Sequence, residues 1–187
     1  MASLLRRRDF LAGGALALGL SGGWRLAIAG DDASRQTIVM AGTPKGDAVW
    51  FDPVGVWVPP GTTIRWITPD DQTQKHATAA YHPANKSSPL RIPGRAAPWN
   101  SGYIGPGAFF DFQLTEEGVY DYYCAPHEEA GMVGRIVVGT PSGHELADFE
   151  RNAAAHPAWR TVPEEALRVF PAVEEIMRRK AIPYQPG

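Results

Sequence analysis

Short segments of alternating apolar and polar residues, separated by glycine and proline, run through residues 36–139. Residues 63–67 alternate with a period of two, which places Ile64 and Trp66 on one face, and residues 119–123 alternate in the same way. The 20 Gly and 17 Pro among 187 residues indicate many turns and leave little room for long helices. The pattern predicts an all-β protein built as a β-sandwich.

Two regions lack this pattern of short alternating segments. Residues 82–108 contain five prolines and few apolar runs, so we expect a long ordered loop or an insertion at one end of the sandwich. Residues 142–182 have helical periodicity, and Pro171 should split the later part into two short helices. The expected organisation is a β domain at 36–139 and a short helical C-terminal extension at 140–187, whose apolar face packs on the sandwich.

The first 29 residues have the features of an export signal. Arginines at 6–8 precede an apolar stretch at 11–20, which is shorter than the ~20 residues that span a bilayer. Residues 27–29 (AIA) fit a small-residue cleavage site. Residues 7–11 (RRDFL) resemble the core of bacterial twin-arginine signals, which implies export of a folded protein to the periplasm. An ordinary secretory signal or an uncleaved anchor is the alternative.

The charge of the exported chain is mildly acidic. Without residues 1–29, which carry four Arg and one Asp, 14 basic and 19 acidic side chains remain, a formal net charge of −5. Since no basic stripe follows the first 25 residues, nucleic-acid binding is not expected. An acidic surface suits a cationic partner.

A single cysteine, Cys124, excludes both an intramolecular disulfide and a zinc site built from paired cysteines. Cys124 begins a C-x2-H-x4-M motif with His127 and Met132, located between two predicted strands. A tight loop there would turn all three side chains toward one point. A thiolate, an imidazole and a thioether together are typical of a copper site.

A second imidazole should come from a distant segment. His76 lies 48 residues before Cys124 and opens a predicted strand at residues 77–81, so it is the preferred donor. His82 is the rival, but it stands directly before Pro83 and is expected to lie in a loop.

Residues 118–134 (GVYDYYCAPHEEAGMVG) resemble the C-terminal signature of plastocyanins, and pseudoazurins share the C-x2-H-x4-M core. Residues 51–66 are also similar to a strand pair of that family. The resemblance implies a cupredoxin Greek-key β-sandwich that binds one type 1 copper ion and transfers single electrons without substrate turnover of its own. It assigns the copper-ligand positions to His76, Cys124, His127 and Met132.

The chain departs from the family in residues 82–108 and 140–187, which have no place in the minimal family fold, and at the residue after the first ligand histidine. The family usually has Asn after the first ligand histidine, where this chain has Ala77, so another group must orient that ligand loop. By resemblance, His127 is the electron exit, and Tyr123 beside the ligand cysteine is a possible second route. Glu128 and Glu129 either steer a cationic partner or are ordinary solvated loop charges.

These features favour a periplasmic electron carrier whose partner is a c-type cytochrome or a periplasmic oxidoreductase. The alternatives are a copper-binding subunit of a larger redox complex, docked through its helical extension, and a copper storage or delivery protein. A multicopper oxidase would need His-x-His pairs, which the chain lacks. Delivery proteins are often rich in Met or His, and this chain has only 4 Met and 5 His.

Overall fold

The computed structural model describes residues 34–153 and 156–185, so the predicted export signal at residues 1–29 lies outside the described part. Strands form two sheets, and α-helices lie between the last two strands along the chain. The strands are β1 (Arg35–Gly42), β2 (Val49–Asp52), β3 (Gly55–Val58), β4 (Thr62–Ile67), β5 (Ala79–Ala80), β6 (Phe109–Leu114), β7 (Gly118–Tyr123), β8 (Val133–Val138) and β9 (Ala181–Ile182).

One sheet has the strand order β2-β1-β4-β6 and the other has the order β5-β7-β8-β3-β9. In β4 the predicted alternation is present, since Ile64 and Trp66 are fully buried and their neighbours are half-exposed. Both side chains join a core between the sheets that also contains Tyr120 and Tyr122 of β7. The prediction of an all-β sandwich is confirmed.

The strands β7 and β8 are buried along their whole length. One face of each strand lies on the core between the sheets, and the other face is covered by later parts of the chain. The covering segments include α1 (Gly143–Ala153), α2 (Glu164–Val169) and α3 (Val173–Arg179). The expected helical extension is therefore present, and Pro171 separates α2 from α3 as predicted.

The extension also returns to the sheet, which the sequence pattern did not predict. Ile182 and Ala181 of β9 pair with Gly55 and Val56 at the edge of the second sheet. A side chain at Gly55 would meet Pro171 at 2.6 Å and Ile176 at 2.9 Å, so this glycine allows the close approach. None of the helices in residues 34–153 and 156–185 is long and apolar enough to cross a membrane.

A buried ion cluster joins β7, β8 and the loop that precedes β6. Asp121 of β7 accepts hydrogen bonds from Arg91 Nε at 2.8 Å and from Arg135 Nε at 2.7 Å. Arg135 also donates to the Pro171 carbonyl oxygen at 2.8 Å. Because Asp121 is fully buried and both guanidinium groups are nearly so, the cluster fixes the extension on the outer face of β7.

Candidate metal centre

The C-x2-H-x4-M motif forms a tight loop between β7 and β8. The Cys124 N–H donates to the Met132 carbonyl at 2.9 Å, and the Met132 N–H donates to the His127 carbonyl at 3.1 Å. Between them, residues 128–130 form a single 3₁₀ turn that ends at Gly131 with φ of 78°. These bonds bring the backbones of the three motif residues together at the end of β7.

The side chains of His76, Cys124 and His127 converge, with their potential ligand atoms all within 4.8 Å of one another. The Cys124 sulfur lies 3.4 Å from Nδ1 of His127 and 3.9 Å from Nδ1 of His76. Cys124 and His76 are fully buried, whereas His127 is half-buried and reaches the surface. Met132 is fully buried in the same core cluster as Cys124.

The protein surroundings favour the neutral form of both imidazoles. Burial, together with the nearby charge of protonated His127, lowers the pKa of His76 to about 4, and burial also lowers the pKa of His127. Burial raises the pKa of the Cys124 thiol to about 12, against the opposing effect of backbone hydrogen bonds from Ala77 and His127. The nitrogens thus keep lone pairs available, and a bound metal ion would have to displace the thiol proton.

This donor set fits copper. Thiolate and thioether sulfur are soft ligands, imidazole suits copper in both oxidation states, and a His2Cys set with a methionine is the blue-copper arrangement. The Nε2 of His76 is buried and has no hydrogen-bond partner within the described residues. The ring is therefore held by packing and by its backbone, with Nδ1 toward the sulfur.

His82 does not join the cluster of potential ligands among the described residues. Its Nδ1 instead accepts a hydrogen bond from the Ala84 N–H at 3.1 Å. The structure thus brings His76 together with Cys124 and His127 and places His82 in a turn.

The insertion at residues 82–108 supplies the orienting group that Ala77 cannot provide. His76 exchanges two backbone hydrogen bonds with Ile104, at 3.1 and 2.7 Å. The Trp99 indole N–H donates to the Thr78 hydroxyl at 3.0 Å, and the Ala77 N–H donates to the Cys124 sulfur at 3.3 Å. The first ligand segment is thereby fixed between the insertion and Cys124.

The surroundings of the motif contradict the expectation for Glu128 and show how Tyr123 is placed. Glu128 is only 7% exposed and is hydrogen-bonded to Tyr81 and Arg160, so it is neither a steering charge nor a solvated one. Tyr123 is 1% exposed, because Tyr81 and Arg160 cover its ring, so it offers no contact surface to a partner. No local sequence pattern reveals either contact, since Arg160 lies 32 residues beyond Glu128.

Comparisons with known proteins agree with this geometry. Residues 38–139 match the family model of copper binding proteins of the plastocyanin/azurin family. A plastocyanin from Prochlorothrix hollandica is 30% identical over 115 residues, which is 60% of this chain and 81% of that protein.

Over a stretch of 34 residues, the sequence identity to a plant plastocyanin is higher. Plastocyanin A'/A'' of Nicotiana tabacum is 53% identical over 34 residues, which is 18% of this chain and 34% of that protein. The match therefore spans about a third of the length of these plant plastocyanins.

The comparison with solved structures also supports a cupredoxin-like β-sandwich. The refined crystal structure of pseudoazurin from Methylobacterium extorquens AM1 superposes with a TM-score of 0.50 at 24% identity, and the match covers 72% of this chain and 94% of that one. Its likeness shows the same sandwich fold. With more than half of its length matching the family model, and with the donor set that such a site requires, the chain belongs to the plastocyanin/azurin family of copper-binding proteins.

Proposed function

We propose that this protein is a single-electron carrier that holds one copper ion in a type 1 site. The ligands would be His76, Cys124, His127 and Met132. When bound there, copper supplies a reversible Cu(II)/Cu(I) couple. The observation that carries the proposal is the convergence of two imidazole nitrogens and one thiol sulfur within 4.8 Å of one another in a member of this copper-binding family.

The chain contributes a site whose donor atoms already converge. His76 and Cys124 are fully buried, and backbone hydrogen bonds hold both ligand segments. The Ala77 N–H, 3.3 Å from the sulfur, favours the thiolate form once the thiol proton has left. A site that changes little between oxidation states needs little reorganisation, which is the requirement for rapid electron transfer.

His127 is the group through which we propose electrons enter and leave. Among the three converging residues it is the one that reaches the surface, and the neighbouring Pro126, Glu129 and Ala130 are exposed. Tyr123 is closed off from partners. A partner that docks over His127 would therefore have the shortest path to the site.

We further propose that the protein acts in the periplasm after export by the twin-arginine route, and that residues 36–139 and 140–187 are its domain and its extension. Its partner would be a redox protein such as a c-type cytochrome or a periplasmic oxidoreductase. The net charge of −5 without residues 1–29 supports a cationic partner. The protein would transfer electrons and have no substrate turnover of its own.

The burial of the site favours a carrier over the alternatives. A delivery protein needs an open, exchangeable metal site, and here both His76 and Cys124 are fully buried. The apolar face of α2 and α3 is not available for docking to a larger complex, because Ala166 and Ile176 pack against the sandwich.

Copper reconstitution of the protein without residues 1–29, followed by visible and EPR spectra, tests the proposal. We expect an intense charge-transfer colour with one copper per chain. The colour should be lost in Cys124→Ser and in His76→Ala, whereas the matched variant His82→Ala should keep it. A colourless wild type, or loss of colour in His82→Ala with retention in His76→Ala, would overturn the ligand assignment.

A further inference from the structure

We propose that Arg160 and Tyr81 are positioning residues for the copper site, because together they hold the ligand loop (residues 124–132) through the buried carboxylate of Glu128. The inference rests on the proposed function, since the loop would carry three of the four ligands. It gives the C-terminal extension a role in the chemistry of the site.

Glu128 follows the ligand His127 directly and is 7% exposed. Its Oε1 accepts hydrogen bonds from the Tyr81 hydroxyl at 2.6 Å and from Arg160 Nη1 at 2.9 Å. A buried carboxylate keeps its charge only when it is paired and hydrogen-bonded. The pair of donors therefore determines where the side chain of Glu128, and with it the start of the 3₁₀ turn, can lie.

Arg160 is itself firmly held, so it can serve as a fixed point. Its backbone N–H donates to the Ser87 carbonyl at 2.9 Å, and Nη2 donates to the Ser88 hydroxyl at 2.8 Å. The guanidinium group lies 5.0 Å from the ring centre of Tyr123, over the end of β7. Arg160 thus connects the extension, the insertion and the ligand loop.

The extension touches the loop at a second point, next to Met132. A side chain at Gly131 would lie 3.2 Å from Val169 and 3.5 Å from the backbone of Glu165, both in α2. The 3₁₀ turn between the ligands His127 and Met132 is thereby held at both ends. The loop cannot open without breaking the Glu128 hydrogen bonds or moving α2.

This arrangement predicts that a neutral side chain at position 160 loosens the loop without unfolding the sandwich. Three backbone N–H groups report on the loop directly: Ala130 donates to the His127 carbonyl, Gly131 to that of Glu128, and Met132 to that of His127. Their hydrogen exchange can be measured with no metal bound.

The test uses Arg160→Met, Arg160→Lys and Tyr81→Phe in the otherwise complete chain. Arg179→Met is the control, because Arg179 forms an exposed ion pair with Glu175 at 3.0 Å on the same extension. In metal-free protein we expect exchange of the three loop amides to accelerate at least tenfold in Arg160→Met. The acceleration should be smaller in Arg160→Lys, which keeps the charge, and absent in Arg179→Met.

The copper-loaded protein gives the second readout. Arg160→Met and Tyr81→Phe should shift the charge-transfer band and the copper hyperfine splitting, and should release copper to a chelator at least tenfold faster than the control. Loop exchange and spectra identical to those of Arg179→Met would overturn the inference. If Arg160→Met fails to fold, Tyr81→Phe, which removes only one hydroxyl, decides the question by the same measurements. A wild type that binds no copper would refute the proposed function, while exchange in the metal-free variants would still decide whether Arg160 holds the loop.

Discussion

Replacing Asp121 by Asn should destabilise the protein far more than replacing an exposed aspartate. Asp121 lies on β7, the strand that ends at Cys124, and its carboxylate is fully buried between two guanidinium groups. The substitution keeps the size of the side chain but removes its charge. Arg91 and Arg135 would then remain buried beside each other without their shared anion.

The size of the effect follows from the contacts. Asp121 accepts from Arg135 at 2.7 and 3.0 Å and from Arg91 at 2.8 Å, and its ion pair with Arg91 Nη2 is 2.7 Å long. Removing one partner of a buried ionic network typically costs about 3–5 kcal/mol. At an m-value of about 2 kcal/mol/M, the urea midpoint should fall by about 1.5–2.5 M.

Urea unfolding of the metal-free protein measures this change without a contribution from metal binding. Asp111→Asn is the matched control, because Asp111 pairs with Arg65 at 2.6 Å but the two side chains are 31% and 26% exposed. That variant should lose at most about 1 kcal/mol of unfolding free energy. A midpoint shift in Asp121→Asn no larger than in Asp111→Asn would refute the account of the buried cluster.

Three further predictions concern the ligand loop and the pH dependence. Gly131→Ala places a side chain at a φ of 78° against Val169 and should cost about 1–2 kcal/mol in urea unfolding; an unchanged midpoint would contradict this. In Met132→Gln the hard amide oxygen would favour Cu(II) over Cu(I), so voltammetry should show a lower reduction potential, and a higher one would count against Met132 as a copper ligand. Hydrogen bonds from Arg65 hold the pKa of Asp111 below its ordinary value, so this ion pair stabilises the fold fully above about pH 4. The difference in unfolding free energy between wild type and Asp111→Asn should shrink as the pH falls further, and a difference that grows would be inconsistent with the pairing.

The sandwich and the loop of the C-x2-H-x4-M motif could be predicted from the sequence because they depend on local signals, whereas the full ligand set came from the resemblance to a known family. Alternation in β4 identifies Ile64 and Trp66 as core residues, and the C-x2-H-x4-M spacing places Cys124 and His127 in one loop. The preference for His76 over His82 rests on the predicted strand at residues 77–81 and on the position of His82 directly before Pro83, and it stays a prediction.

The surroundings of the loop depend on contacts between residues far apart in the chain. Glu128 looks like a solvated charge in the sequence, but in the fold it is buried and hydrogen-bonded to Tyr81, 47 residues earlier, and to Arg160, 32 residues later. The pairing of β9 is equally hidden, because a strand of two residues has no period to detect. Such contacts follow from the packing of whole elements rather than from any residue pattern.

Spectroelectrochemical titration of the copper-loaded protein tests most directly whether this site carries single electrons. We predict that the charge-transfer colour and the EPR signal disappear together on addition of one electron per copper, follow a one-electron Nernst curve, and return fully on reoxidation with the metal still bound. Loss of copper on reduction, or a colour that does not return, would contradict the account and would instead favour a protein that delivers copper.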